Sequence, residues 1–199
     1  MFKDKKGQTL VELIVAIAVI EIGLFSVWSL FLVNFNAERE AEYRIVGVNL
    51  AREGIEVIKN IRDSNWLKRK YNVYSDNNNL NIWTWDQNLE AQTCTVDFDS
   101  TEPEDESLAQ LYLNNDGFYN NDITGKKTDY SRKIIIKDIC CTDDNPEDFK
   151  CDKIEYNIAD DGCGGDELKI GINVVSQVSW QISSKDRQAT VEDNLYDWQ

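Results

Sequence analysis

The chain has 199 residues and carries 36 acidic against 21 basic side chains, which gives a net charge of −15. This length suits about one domain with an additional segment. The negative charge repels phosphate backbones, so nucleic-acid binding is disfavoured. The absence of histidine excludes Ser-His-Asp and Cys-His catalysis as well as imidazole zinc sites. Apolar residues make up 42% of the chain, and their uneven distribution is the main guide to its organisation.

Residues 10–35 form an apolar stretch in which only Glu12 and Glu21 are charged. A helix of this length, rising about 1.5 Å per residue, spans roughly 39 Å, which is enough to cross a hydrocarbon core of about 30 Å. Lysines in residues 3–6 precede it, and a basic flank is retained on the cytoplasmic side. We therefore predict a single-pass membrane helix with a cytoplasmic N-terminus and with most of the chain outside.

Two simpler interpretations of this stretch compete. A cleaved signal peptide has an apolar run of about 7 to 15 residues and an A-x-A-like site, which residues 16–18 supply, but here the run continues well beyond that site. An ordinary uncleaved anchor fits the length and the flank but leaves the carboxylate of Glu12 unexplained. An ionisable group inside a membrane costs up to a few kcal/mol and marks a functional-site hypothesis.

The residues before and around Glu12 resemble the class III leader of type IV prepilins and type II secretion pseudopilins. In that pattern a basic leader ends in glycine, here Gly7, and the fifth residue after it is Glu, here Glu12. Residues 21–24, Glu-Ile-Gly-Leu, are similar to a stretch of minor pilins of the PilV type. The resemblance implies that a prepilin peptidase cleaves after Gly7 and methylates Gln8. Major pilins usually begin with an apolar residue, so Gln8 favours a minor subunit.

Beyond the apolar stretch, residues 36–66 predict an amphipathic continuation of the same helix. One helical face is marked by steps of three and four residues between Tyr43, Val46, Leu50, Gly54, Val57 and Ile61. No proline interrupts residues 8–66, so one helix can run to about residue 63. Gly47 and Gly54 each cost about 1 kcal/mol relative to alanine, for which we expect a close backbone approach, the alternative being a kink.

The region from residue 67 onwards predicts an α+β head. Runs rich in β-branched residues, partly at period two, are residues 131–139, 169–175, 177–182 and 187–191. Residues 183–186 suit a hairpin turn. A helix followed by strands without βαβ alternation predicts an antiparallel sheet packed on the helix. This order matches the pilin fold, and the Val-Ser-Trp and Tyr-Asp-Trp motifs near the end resemble the last strand pair of PilV-like minor pilins. The polar segments 72–81, 97–106 and 143–152 are predicted to be surface loops.

All five cysteines fall in the region that we expect outside the cytoplasm, where disulfides persist. They are Cys94, Cys140, Cys141, Cys151 and Cys163. The odd count leaves one thiol over, and spacing alone does not fix the connectivity. As neighbours across a turn-rich stretch, Cys151 and Cys163 are the expected pair. A metal site is disfavoured, because no C-x-x-C pair and no histidine is present.

An acidic, glycine-rich loop at residues 159–167 offers oxygen ligands of the kind that Ca²⁺ prefers. The weak candidate ligands are Asp160, Asp161, Asp166 and Glu167. By resemblance, some pseudopilins hold calcium in a loop between strands. The loop does not match the EF-hand register, and a solvated acidic turn is the favoured interpretation, so we expect neither a metal nor another cofactor.

The expected organisation follows from these observations. We divide the chain into a cytoplasmic leader, a transmembrane and filament-core helix, the amphipathic continuation of that helix, and an extracytoplasmic head with disulfides, at residues 1–7, 8–35, 36–66 and 67–199. The resemblance implies a structural subunit and no enzyme, located first in the cytoplasmic membrane and then in an extracellular filament. It further implies as partners other pilin subunits, the prepilin peptidase, a membrane platform protein, an assembly ATPase and membrane lipid.

Three other functions remain open. A pseudopilin of a type II secretion system carries the same leader. A membrane-anchored hydrolase with paired carboxylates has enough acidic residues, although no motif selects a pair. A DNA-binding competence pilin needs a basic patch, and residues 68–70 are the only short basic cluster outside the leader. Glu12 is expected to pair with the α-amino group of Gln8 in a neighbouring subunit, the alternative being that its carboxylate reaches the cytoplasmic headgroups.

Overall fold

The computed structural model describes residues 6–70, 84–142, 151, 153–157, 162–164 and 167–197. They fall into two compact units, Met1–Tyr43 and Arg44–Gln199. One long helix is divided between them: the first unit contains its apolar part, and the second contains its remaining part together with an antiparallel sheet. This is the predicted α+β layout.

The helix, α1, extends over Lys6–Lys70. Within it, Leu10–Arg69 is long and apolar enough to cross a membrane by length and composition. The helix continues about two turns beyond the predicted end at residue 63. Its last turns are held by tertiary contacts, because Trp66 packs against the core and Asn65 Nδ2 donates a hydrogen bond of 2.7 Å to Gln87 O.

Eight strands form one sheet. They are β1 Gln92–Thr95, β2 Glu104–Asp105, β3 Gln110–Leu113, β4 Tyr119–Asn120, β5 Lys126–Thr142, β6 Lys153–Asn157, β7 Glu167–Ile182 and β8 Lys185–Tyr196. A short 3₁₀ helix, Glu106–Leu108, follows β2. All pairings are antiparallel, as the absence of βαβ alternation predicted.

Strand β5 is the centre of the sheet. β7 occupies one of its edges from Tyr130↔Trp180 to Thr142↔Glu167. A strand has only two edges, so β3, β1 and β6 share the other edge in that order along β5. β2 extends the sheet beyond β1, β4 beyond β3, and β8 beyond β7. The long strands therefore carry the sheet, and the short ones complete it.

The predicted hairpin turn joins β7 to β8. Ile182 pairs with Lys185, which leaves a two-residue loop. Both loop residues have positive φ, 49° at Ser183 and 64° at Ser184. That is the backbone of a type I′ turn, whose twist matches the twist of the flanking strands. The turn is thus confirmed, with residues 185 and 186 already in β8.

Some loop and strand assignments differ from the prediction. The two runs 169–175 and 177–182 form the single strand β7, because Ser176 stays paired, with Ile134 on one side and Val191 on the other. Residues 97–106, predicted as a surface loop, also contain β2 and the start of the 3₁₀ helix. Residues 72–81, and all of 143–152 except Cys151, lie outside the described residues.

The core lies between the second half of α1 and one face of the sheet. Its members are Ile55, Val57, Ile58, Ile61, Trp85, Leu89, Cys94, Val96, Ile134, Ile136, Ile172, Val174 and Leu195. The predicted helical face is confirmed, since Leu50, Val57 and Ile61 are all buried. The same side of the helix contacts the sheet most closely at Gly47 and Gly54.

A Cβ atom at either glycine would collide with the sheet. At Gly47 it would lie 2.5 Å from Cζ3 of Trp180. At Gly54 it would lie 2.8 Å from both Ile134 Cδ1 and Ser176 Oγ. Real Cβ contacts are essentially never this short, so the expected close backbone approach is confirmed, and α1 continues through both positions without ending.

Candidate functional site

The N-terminal part of α1 has an apolar surface that its own chain leaves open. Every large hydrophobic side chain in residues 10–35 is at least 47% exposed, and Phe25 reaches 76%. A helix that is apolar on all sides needs lipid or other helices around it. This surface is therefore the first candidate for a functional role.

The two carboxylates on this surface face in opposite directions. Glu12 and Glu21 are nine residues apart, which at about 100° per residue places them about 180° apart around the helix. Both are exposed, and neither forms a hydrogen bond or an ion pair with another described residue. Glu12 and Glu21 thus mark two distinct faces of the apolar segment.

The face of Glu12 carries small side chains. Ala16, Gly23 and Ser26 lie within about 40° of Glu12 around the helix, interspersed with the larger Val19 and Leu30. The Ser26 hydroxyl donates to Ile22 O at 2.8 Å, so its polarity is satisfied within the helix. A Cβ atom at Gly23 would meet nothing within 4 Å. Small residues on an apolar helix permit the close approach of a second helix.

Aromatic side chains occupy the far end of the apolar segment. Trp28 and Phe31 have ring centroids 6.1 Å apart, and Phe31 and Phe35 have theirs 6.2 Å apart. Trp is enriched at membrane interfaces, and Trp28 with its two phenylalanine neighbours lies towards the opposite end from the N-terminal lysines. The segment therefore has a distinct chemical marker at each end.

The predicted processing residues lie at the start of α1. The helix begins at Lys6, so the Gly7–Gln8 bond falls in its first turn. The side chain of Gln8 lies outside the described ones. Glu12 is the fifth residue after Gly7, which puts the carboxylate a little more than one helical turn beyond the bond.

In the head, Arg132 ties α1 to the sheet. Its side chain is fully buried and donates from Nη1 to Glu53 Oε1 at 2.8 Å and to Leu50 O at 3.2 Å. Its Nη2 donates to Val96 O at 2.5 Å. A buried guanidinium is tolerated only when it is paired and hydrogen-bonded, so these bonds fix the helix against the sheet.

A second, partly buried ion cluster centres on Lys169. Its Nζ lies 2.7 Å from both Asp86 Oδ2 and Asp138 Oδ1 and 5.8 Å from the ring of Trp85. Burial lowers the pKa of Lys169, but hydrogen bonds to Asp138 and Asp86 outweigh burial, so its pKa is raised overall. The lysine stays an ammonium ion, and the two carboxylates are neutralised by it, which suits a structural cross-link better than acid–base chemistry.

The disulfides differ from the expected pair of Cys151 with Cys163. Cys140 bonds to Cys163 and Cys141 bonds to Cys151, each with a Cα–Cα distance of 5.5 Å. The physical reason is the alternation of side chains along β5: adjacent residues project to opposite faces. Cys140 and Cys141 therefore take different partners.

The fifth cysteine, Cys94, is free and buried. Burial raises the pKa of its thiol to about 12, and the charge of Glu106 adds to this shift. A thiol of this kind is an inert part of the core, since nucleophilic cysteines need a lowered pKa and access to solvent.

The structure brings only one of the calcium candidates into view. Asp160, Asp161 and Asp166 lie outside the described residues. Glu167 begins β7, and its Oε2 accepts a hydrogen bond of 2.9 Å from Gly164 N. Glu167 lies within 4.8 Å of the sulfurs of Cys140 and Cys163, but these sulfurs are bonded to each other and so provide no thiolate ligands.

Two arginines have contacts that the sequence analysis did not predict. Arg69, in the basic cluster 68–70, forms an ion pair of 3.2 Å with Asp197. The inward position of Arg132 had a signal in the sequence, because it lies two and four residues before Ile134 and Ile136 on the same face of a strand.

Comparisons of the chain with models of protein families, with curated proteins and with solved structures found no match.

Proposed function

We propose that this chain is a minor pilin, a structural subunit of a type IV pilus-like filament that a prepilin peptidase processes at the Gly7–Gln8 bond. The observation that carries the proposal is Glu12. It is an exposed carboxylate near the start of the apolar stretch, five residues after a glycine that ends a basic leader. An ordinary membrane anchor does not need this carboxylate, and an ionisable group inside a membrane-spanning segment marks a functional-site hypothesis.

The exposure of the apolar segment supports this role. The chain buries none of the large hydrophobic side chains in residues 10–35, whereas the sheet of the head buries the apolar face of the second half of α1. Before assembly the segment is covered by lipid, and afterwards by the same segment of other subunits. The small face at Ala16, Gly23 and Ser26 suits contact between helices. In this role the chain is structural and has no catalytic activity of its own.

Glu12 has a specific role in this proposal. The α-amino group that cleavage creates on Gln8 of a neighbouring subunit is the cation with which it pairs. Opposite charges about 4 Å apart attract by about 4 kcal/mol at an effective dielectric constant of about 20. Desolvation of both charges opposes this gain. The pair therefore sets the register of the subunits more than it holds them together.

Processing is tested by mass spectrometry on the protein from its native host. The proposal expects an N-terminus at Gln8 that carries a methyl group on its amine. Filament fractions in which the chain still begins at Met1 would contradict it.

Assembly is tested by the variant Glu12→Gln, with Glu21→Gln as its matched control. Both variants remove one carboxylate from the same apolar helix and keep its shape, but on opposite faces. Glu12→Gln should be inserted and cleaved normally and yet be strongly depleted from sheared filaments. Glu21→Gln should enter filaments as the unmodified protein does. Equal incorporation of both variants rules out the pairing of Glu12.

A type II secretion pseudopilin is the main alternative assignment, because its leader follows the same pattern. Deletion of this chain separates the two. Loss of surface filaments with normal protein secretion supports the minor pilin, and loss of secreted enzymes with intact pili supports the pseudopilin. Neighbouring genes for an assembly ATPase and for further prepilin-like chains would identify the machinery.

A further inference from the structure

Lys169 on β7 lies between two carboxylates, one from the neighbouring strand and one from the segment before β1. Its Nζ is 2.7 Å from Oδ1 of Asp138 on β5 and 2.7 Å from Oδ2 of Asp86. The assembly role proposed above does not involve this cluster, and the ladder of the sheet already pairs β5 with β7. An amine, a carboxyl group and a second carboxylate are the three groups from which an amide bond forms.

The amine nitrogen of Lys169 and the carboxyl carbon of Asp138 are close enough to react. Cγ is one bond of about 1.2 Å from Oδ1, so Nζ lies within about 4 Å of Cγ. Reacting atoms in a productive arrangement are about 3 to 3.5 Å apart, and a small movement of the lysine side chain reaches this range. Groups held in this way have effective concentrations of about 10⁵ to 10⁸ M. These concentrations exceed that of water, so they favour condensation of the amine with the acid.

The surroundings of the pair favour uncharged groups. Asp138 is only 4% exposed, and the buried ring of Trp85 lies 5.8 Å from Nζ of Lys169. Apart from its contact with Nζ, Oδ1 of Asp138 has no hydrogen-bond partner among the described residues. Desolvation disfavours the charged form of a buried group. Burial therefore lowers the cost of moving a proton from the ammonium group to this carboxylate.

The second carboxylate, Asp86, keeps the proton balance within the cluster. Transfer of one proton from Lys169 to Asp138 gives a neutral amine and a neutral acid, while Asp86 stays ionised and the net charge is unchanged. Burial lowers the pKa of Lys169, but hydrogen bonds to the two aspartates raise it overall. The neutral arrangement is therefore the minor one and the reaction is slow, but its amide product is stabilised by resonance and accumulates.

We propose that Lys169 and Asp138 form an intramolecular isopeptide bond, with Asp86 as the acid–base group, and that this bond joins β7 covalently to β5. The lone pair of Nζ attacks Cγ of the protonated Asp138, and the nitrogen loses a proton to Asp86 as the N–C bond forms. Asp86 returns the proton to the departing hydroxyl group, so the C–O bond breaks and one water leaves. The reaction consumes no oxidant, reductant or other reactant, and it does not depend on the pilin assignment.

A second lysine has the same groups around it at the surface of the head. Lys59 Nζ lies 2.9 Å from Asp193 Oδ2 and 3.2 Å from Glu56 Oε1. These two carboxylate side chains are 43% and 70% exposed, against 6% and 19% for Asp138 and Asp86. Water solvates the charged forms of exposed groups, so no proton transfer is favoured there. Lys59 is therefore an internal control in which we expect no bond.

The test is denaturing mass spectrometry of the full-length chain after reduction and alkylation of its cysteines. The chain should be lighter by one water than its sequence requires. After digestion with trypsin, the peptide that begins at Asp138 should be joined to the peptide that contains Lys169, and no joined peptide should contain Lys59. A chain of full mass overturns the proposal. A water loss located at Asp116–Gly117, where cyclisation of the aspartate also releases water, overturns it as well.

Variants separate the roles of the three groups. Lys169→Arg keeps a cation between the carboxylates but has no amine, so it should have its full mass. Asp86→Asn keeps the amine and the acid but removes the base, so the bond should form about a hundredfold more slowly. Asp193→Asn, the matched control at the surface, should lose one water as the unmodified chain does. A folded Asp86→Asn chain that loses water at the unmodified rate would overturn the role of Asp86. The mass of the unmodified chain decides the proposal even where a variant does not fold.

Discussion

The two halves of α1 share one secondary structure but differ in what covers their apolar side chains. In residues 10–35 the large hydrophobic side chains are at least 47% exposed. In the second half, Ile55, Ile58 and Ile61 are at most 3% exposed, because the sheet covers them. Both halves are helical, although only one of them is covered by the rest of the chain. The second half packs on the chain's own sheet, and the apolar half needs lipid or other helices around it.

The glycines of the helix show the same contrast. Gly54 lies so close to Ile134 and Ser176 that no Cβ atom fits, whereas Gly23 has open space around it. A glycine inside a helix costs about 1 kcal/mol relative to alanine. In the head half this cost is offset by contact with the sheet, whereas in the apolar half no contact within the chain offsets it.

The largest expected effect is in the head half, at Arg132. Arg132→Ala truncates a fully buried side chain, a kind of change that costs about 2 to 5 kcal/mol, and it also removes the hydrogen bonds to Val96 O and Glu53. We expect its free energy of unfolding, measured by urea titration of the full chain in detergent, to fall by that amount. Arg52→Ala removes an exposed arginine from α1 and should change the free energy of unfolding by no more than about 0.5 kcal/mol. Similar losses in both variants would show that Arg132 does not fix the helix to the sheet.

A matched pair of isoleucines compares the two halves directly. Ile58 is fully buried and Ile20 is 60% exposed. Replacement of a buried isoleucine by alanine costs about 2 to 5 kcal/mol. Ile58→Ala should therefore destabilise the head in a urea titration by this amount, while Ile20→Ala leaves its unfolding unchanged. If Ile20→Ala destabilised the head as strongly, the two halves would not be energetically separate.

A pair of glycine variants sharpens the contrast in packing. Gly54→Ala should lower the free energy of unfolding by about 1 to 3 kcal/mol, the usual cost of overpacking, although alanine is the better helix former. Gly23→Ala has no neighbour to displace and should leave the urea transition of the head unaltered. A stabilised Gly54→Ala variant would show that the sheet can move away from the helix.

The smallest expected effect concerns the surface of the head half, where Lys59 Nζ lies 2.9 Å from Asp193 Oδ2. The hydrogen bond with Asp193 raises the pKa of Lys59, and the same bond lowers the pKa of Asp193. Exposed pairs contribute about 0.2 to 1 kcal/mol. Lys59→Met should lower the free energy of unfolding by this amount near pH 7. A double-mutant cycle with Asp193→Asn measures the coupling energy of the pair.

The pH dependence of this pair has a defined sign. The contribution of Asp193 is present above its unfolded pKa of about 3.8 and is lost as the pH falls. The contribution of Lys59 is present below about 10.5 and is lost as the pH rises above it. A coupling energy that stays constant from pH 2 to pH 12 would contradict an ionic origin.

Residue periodicity predicted the parts of the fold that have long, regular patterns. The helix, its buried face, the positions of β5, β7 and β8, and the hairpin at Ser183 and Ser184 follow from steps of 3.6 and 2 and from turn residues. Strands β2 and β4 have two residues each, which is too short for any period to appear. Their existence depends on neighbouring strands and not on local sequence.

The contacts of the candidate sites were less predictable, for a different reason. The disulfide partners of Cys140 and Cys141 depend on the opposite directions of adjacent side chains on β5, and so on the exact strand register. The contacts of Arg132 with Glu53 and Val96 join residues that are distant in sequence and have no common motif. Glu12, by contrast, stands out in the sequence because its surroundings are apolar.

The position of β8 in the sheet has a consequence for the order of folding. Leu195 of β8 belongs to the same core cluster as Ile58 of α1, although the other seven strands lie between them in sequence. Contacts between such distant parts of a chain form slowly, because a long loop must close before they are gained. During synthesis the inner face of α1 emerges first and stays uncovered until residue 196 of β8 has followed. Any factor that holds the unfolded head during that interval acts on a surface that the finished protein no longer displays.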